Sequence, residues 1–148
     1  MLRREAPDEA RGQCGHLQAR GGARGLDSVF GMTVELCEFT LDYPDVRATL
    51  LEHTLPPAQR DFVPAVRDSL TLGDDDPDWI SVAIAVDGLP VGMFALDRGG
   101  YFRQFDDDPS DVLFRAFYIA LEHQGNGYAT AAVSAVRAFV QRRLPDVN

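Results

Sequence analysis

The 148-residue sequence contains no lysine: its fourteen basic side chains are all arginine, set against 23 acidic ones for a net charge of -9. The imbalance is uneven along the chain. Residues 1–25 carry five arginines and three acids, which leaves nine arginines and twenty acids for residues 26–148. A body so acidic repels phosphate backbones, so nucleic acid is not an expected partner, whereas a cationic small molecule or peptide would be attracted. Cysteine is nearly absent too. Cys14 and Cys37 form no CxxC pair, which excludes a disulfide framework and suits a reducing cytosol. The three histidines, His16, His53 and His123, fall at no metal-ligand spacing, so no metal is expected. There is no long apolar run, because Arg115 interrupts Val112–Leu121, so no membrane span is expected. The first nine residues lack the apolar core of a signal peptide, and the expected location is cytoplasmic.

What is present is the composition of one soluble globular domain, 45% apolar and 25% charged. Residues 1–31, rich in Gly, Arg, Ala and Gln, read either as a disordered tail or as sequence ahead of a true start at Met32. From Met32 the pattern is regular. Thr33–Thr40 alternates like a half-buried strand. Helices are predicted over Pro44–His53, with Val46 and Leu50 inward, and over Arg60–Leu72, with Phe62, Val66 and Leu70 on one face and Gly73 ending it. Trp79–Val86 and Val91–Leu96 read as strands joined through Asp87-Gly88, a hairpin signal that Leu89-Pro90 could lengthen. A polar loop leads to strand Val112–Leu121. Last comes helix Gly127–Leu144, with Ala132, Val133, Val136, Phe139 and Val140 at helical spacing. The predicted order is β-α-α-β-β-β-α: an α/β domain over residues 32–148 with a mostly antiparallel sheet flanked by helices.

The segment that carries chemistry is Phe117–Thr130, in which a strand runs into a Gly-rich turn that opens directly into a helix. The first N–H groups of such a helix have no intrahelical acceptor and, with the helix dipole, favour an anion such as a pyrophosphate. Gly125 and Gly127 remove the Cβ atoms that would hold a phosphate away, and Gln124 can brace the turn or donate to an oxygen. A hairpin at Asn126-Gly127 should lead into another strand, but an alanine-rich helical pattern follows. Two other phosphate loops fail: GxGxxG would need Gly where Thr130 stands, and a P-loop needs a lysine.

Gln124-Gly-Asn-Gly127-Tyr-Ala129 resembles motif A of the GNAT N-acetyltransferases, (Arg/Gln)-x-x-Gly-x-(Gly/Ala), placed between that family's fourth strand and third helix. The resemblance covers about residues 32–148. It implies transfer of an acetyl group from acetyl-CoA to a primary amine. Gln124, Gly125, Asn126, Gly127, Tyr128 and Ala129 would hold the pyrophosphate, while main-chain groups of Phe117, Ile119 and Leu121 would face the pantetheine and acetyl group. In that family the fourth strand splays away from the fifth at a bulge. Leu121 stands where many relatives have proline.

The catalytic base is unknown at this level; Asp111, Glu122, His123 and His53 are the candidates. In relatives the third helix is followed by β5, α4, β6 and β7, whereas here the sequence stops at Asn148. The expectation is therefore a truncated enzyme, or a catalytically weak CoA-binding or protein-interaction module. The fourth strand would then have an open edge able to pair with a second copy. Asp74–Asp78, Asp97 and Asp106–Asp111 are expected to gather at one end of the sheet and to steer a polyamine or basic peptide there. Asp74, Asp76 and Asp78 have the spacing of an EF-hand start, but Trp79 and Ala85 occupy its required Gly and Glu positions.

Overall fold

The computed structural model describes residues 27–29, 32–61, 65–99, 103–105 and 107–147. Alternating apolar residues build a five-stranded antiparallel sheet in the order β1 (Asp27–Val29), β2 (Met32–Glu38), β3 (Trp79–Val86), β4 (Leu89–Asp97) and β5 (Leu113–Ile119). Among the described residues three helices accompany it: α1 (Pro44–Leu51), α2 (Val66–Asp75) and α3 (Tyr128–Arg143). The expected order is therefore present from β2 onward. Asp27–Val29 departs from the expected boundary, because this part of the segment read as a tail pairs with β2. The rest of that segment, with Cys14 and His16, lies outside the described residues, as do Phe62 and Asp106.

Opposite faces of the strands feed two cores, as the two-residue strand period requires. On one face Leu36, Ile84, Phe94 and Ile119 pack with Ala131, Ala132, Ala135 and Phe139 of α3. On the other, Cys37, Ala83, Met93 and Tyr118 pack with Val46 and Leu50 of α1 and Val66 and Leu70 of α2. Val133 was expected on the inward face of α3 but is 54% exposed. The stripe instead runs through Tyr128, Ala131, Ala132, Ala135 and Phe139, where small residues let the helix lie close to the sheet.

The second helix also begins later than predicted. A short 3-10 turn occupies Pro57–Gln59, and α2 starts only at Val66. Ala65, extended at ψ 143°, is the N-cap, so the helix begins only after it. Nor does Gly73 stop α2, which continues to Asp75; a Cβ there would meet the Trp79 ring at 2.7 Å. That glycine is a packing requirement. The β3–β4 turn is the short form, with Asp87 at φ 49° and Gly88 at φ 84° and Val86 paired directly with Leu89.

Candidate functional site

Among the described residues strand β5 is an edge of the sheet, and it is bent. Met93 pairs with Tyr118 and Ala95 with Arg115, so Phe94 alone lies opposite both Ala116 and Phe117. This is a β-bulge, and Ala116 adopts the left-handed conformation at φ 55°. Such a bulge swings the strand and re-aims the groups beyond it. The Ala120 N–H donates to Val91 O at 2.9 Å, across to β4. By alternation, the main-chain groups of Phe117 and Ile119 turn toward the outer edge. Two of the groups expected to face a ligand are already engaged: Ile119 C=O accepts from Gln124 Nε2 at 2.8 Å, and the Leu121 N–H donates to Thr54 O at 2.9 Å. Leu121 is thereby a strut between the end of α1 and the strand, and its side chain is half exposed.

After β5 comes a 3-10 turn at Leu121–His123 and then the glycine loop. Gly125 (φ 80°) and Gly127 (φ 81°) are both left-handed, the conformation that costs other residues about 1–2 kcal/mol. Gly127 is the N-cap of α3, and no side chain caps it. The N–H groups of Tyr128 and Ala129 therefore start the helix with no intrahelical acceptor. Open space lies in front of Gly125, since a Cβ there would meet nothing within 4 Å. The loop is braced from within: Gln124 holds Ile119 O, and Asn126 Nδ2 donates to His123 O at 3.1 Å. Of the two roles open to Gln124, bracing is the one it takes. The Tyr128 side chain is buried beneath α3, with its hydroxyl 3.1 Å from Met32 Sδ, so only its main chain reaches the loop.

Beside this loop stands a polar group that spacing along the chain does not reveal. His53, just past α1, is half-buried, with Nδ1 3.0 Å from the Tyr118 hydroxyl and Nε2 3.2 Å from Pro90 O. A carbonyl can only accept, so Nε2 carries the hydrogen and Nδ1 accepts from Tyr118. Burial holds the imidazole below its ordinary pKa, with the Glu122 charge acting next, in the opposite direction. Burial, and next the Glu122 charge, push the Tyr118 hydroxyl up, so it remains a donor. The His123 ring lies 6.2 Å from that of His53, edge to face. Ligand atoms of His53, Glu122 and His123 all come within 4.8 Å of one another. Three of the four candidate bases thus meet here. The fourth, Asp111, does not: it sits ahead of β5 at the opposite end of the strand, where its carbonyl accepts from Arg103.

At that opposite end the acidic loops do converge. The Arg98 N–H bonds to Asp78 O, and its guanidinium bonds to Pro109 O. Arginines pair with two of these acids, Arg47 with Asp74 and Arg115 with Asp97, and Arg98 also pairs with Asp146 near the end of the chain. Cavities lie at both ends: one of about 570 Å³ is lined here by Asp78, Arg98, Arg103 and Asp146, and one of about 480 Å³ lies beside His53, lined by Arg60 and Arg67.

Among the described residues no helix is long and apolar enough to cross a membrane. No family model and no curated protein matches the chain. It is similar to a solved structure of an acetyltransferase from Thermus thermophilus, at 23% identity over 78% of this chain and 71% of that one, with a TM-score of 0.47. A likeness of that degree carries no functional weight.

Proposed function

We propose that this chain is an N-acetyltransferase that takes acetyl-CoA along the outer edge of β5 and transfers its acetyl group to a primary amine. The observation that carries the reading is one continuous unit: the bulge at Ala116, the left-handed glycines and the uncapped start of α3. The residues fit the donor at two points. The helix start and the open space at Gly125 suit a pyrophosphate, and the outward main-chain groups of Phe117 suit an amide-bearing arm. Ile119 offers only its N–H, since its carbonyl is held by Gln124.

Acetyl-CoA supplies an activated acyl group. The chain supplies binding along β5, orientation by a braced loop, and main-chain donors that favour charge on the carbonyl oxygen as the amine attacks. The amine must lose its proton first; as the amide bond forms the thioester C–S bond breaks, and coenzyme A leaves as a thiolate that takes a proton from solvent. His53 is not a free base, because both ring nitrogens are engaged. Glu122 is exposed at the same end and is the proton acceptor we assign. A cationic acceptor such as a polyamine or basic peptide remains the proposal for the acidic end, where Arg47 and Arg115 pair with two of the acids, Asp74 and Asp97.

The engaged state of His53, Ile119 O and Leu121 N–H favours a second reading, a CoA-binding module with weak catalysis. Thermal unfolding with and without acetyl-CoA tests the donor site first. At about 100 times its Kd, ligand adds about 2.7 kcal/mol, a midpoint rise of several degrees. The rise should be absent with a matched nucleotide and in Gly127→Glu. Radiolabelled acetyl transfer to polyamines, amino acids and peptides then separates the enzyme from the module. No rise in the wild type overturns both.

A further inference from the structure

The cluster of His53, Glu122 and His123 has a chemistry beyond the proton acceptance assigned to Glu122. Two imidazoles and one carboxylate, from segments almost seventy residues apart, bring ligand atoms within 4.8 Å of one another. We propose that these three residues form a binding site for a divalent transition metal of the zinc class.

The donor set decides the class. Imidazole nitrogens suit zinc and its neighbours, whereas magnesium and calcium need mostly oxygen ligands, and only Glu122 supplies one. Three protein ligands with a fourth position left to water is a common zinc arrangement. Both imidazoles are half-buried and placed by the fold, and Glu122 is exposed, so a cation can enter from solvent without the core opening. Ligation through His53 exchanges one of its two hydrogen bonds, to the Tyr118 hydroxyl or to Pro90 O, for a metal bond. The bond that remains orients the ring, as second-sphere partners do in metal sites. Metal here would tie the end of α1 to the turn that begins the glycine loop.

The site is independent of acetyl-CoA and can be tested without it. Zinc chloride is titrated calorimetrically into the chelator-treated 148-residue chain, and cobalt(II) is added in a parallel absorption experiment. One equivalent of zinc should bind, and cobalt(II) should give the visible bands of a low-coordinate site. His123→Ala and Glu122→Gln change surface-accessible groups, and each should weaken zinc binding by about tenfold or more. Their metal-free unfolding midpoints report whether they remain folded. A Cys14→Ser/His16→Ala double variant should bind like the wild type. The proposal is overturned by the absence of saturable binding, by binding that survives in folded His123→Ala, or by binding lost in the double variant.

Discussion

Both ends of the sheet carry charged and polar groups, but they use them in opposite ways. Where β3 begins and β4 finishes, the ions close on one another. Asp97 is buried with its carboxylate 3.1 Å from Arg115, whose guanidinium lies 5.0 Å from the centre of the Trp79 ring. Where β5 finishes, an uncapped helix start and two left-handed glycines stand beside a cluster of three titratable side chains. The acidic composition pointed to the first end as the place where a ligand is drawn in. The structure makes a clasp of Asp97, Arg115 and Trp79 at that end, beside a cavity lined by Asp78, Arg98 and Asp146, and places the uncapped helix start at the other. A count of carboxylates measures a field only when their partners are counted as well.

The largest effect on this contrast should come from Gly92→Ala. A Cβ at that position would lie 2.1 Å from Tyr118 O, so β4 and β5 could not keep their spacing beside the bulge. A loss of about 3 kcal/mol in urea unfolding is expected. A loss below about 1 kcal/mol would mean that the glycine-loop end tolerates loosening of its strand pair. Arg115→Met comes next. It keeps an apolar stem over Trp79 but takes the ion-pair partner from Asp97, whose side chain is 4% exposed and which still accepts from the Gly99 N–H. About 2 kcal/mol should be lost, less than for a fully enclosed pair because Arg115 is itself 27% exposed.

Acid sharpens the comparison from the other side. The groups around His53 are Glu122, His123, Glu52 and Tyr118, and burial is the largest influence, holding its pKa below 6.5. The unfolded chain therefore takes up that proton first. The His53 contribution is complete above pH 6.5 and is lost as pH falls from there through the lower folded value. In chelator, the difference in midpoint between wild type and His53→Gln should narrow over that window. A constant difference would show that the ring is not buried as described. The smallest effect belongs to Asp146→Ala. Its pair with Arg98 is 2.7 Å long, but Asp146 is 62% exposed, so stability should move by no more than about 0.5 kcal/mol. A larger drop would show that the clasp extends to the end of α3.

Local sequence was informative wherever a physical rule acts over a few residues. Trp79–Val86 is a strand over its full predicted length, and α1 begins at Pro44 as its position suggested. The glycine loop opens into α3 where the turn signal and the helical period meet. Gly73 was not readable as a packing position, because its reason is Trp79, brought back beneath it by the strand that follows.

The order of the elements, the two-faced strands and the loop whose glycines can take positive φ were all legible in the chain, because propensity, period and chain stiffness act locally. What those elements present came from long-range packing. Pairing with β4 bent β5 at Ala116, an alanine with no turn signal. Partners from the loop and from the end of α1 closed Ile119 O and Leu121 N–H. The same packing set His53 beside Glu122 and His123. Contacts between distant segments depend on how two cores pack on one sheet, and no spacing along the chain encodes that distance.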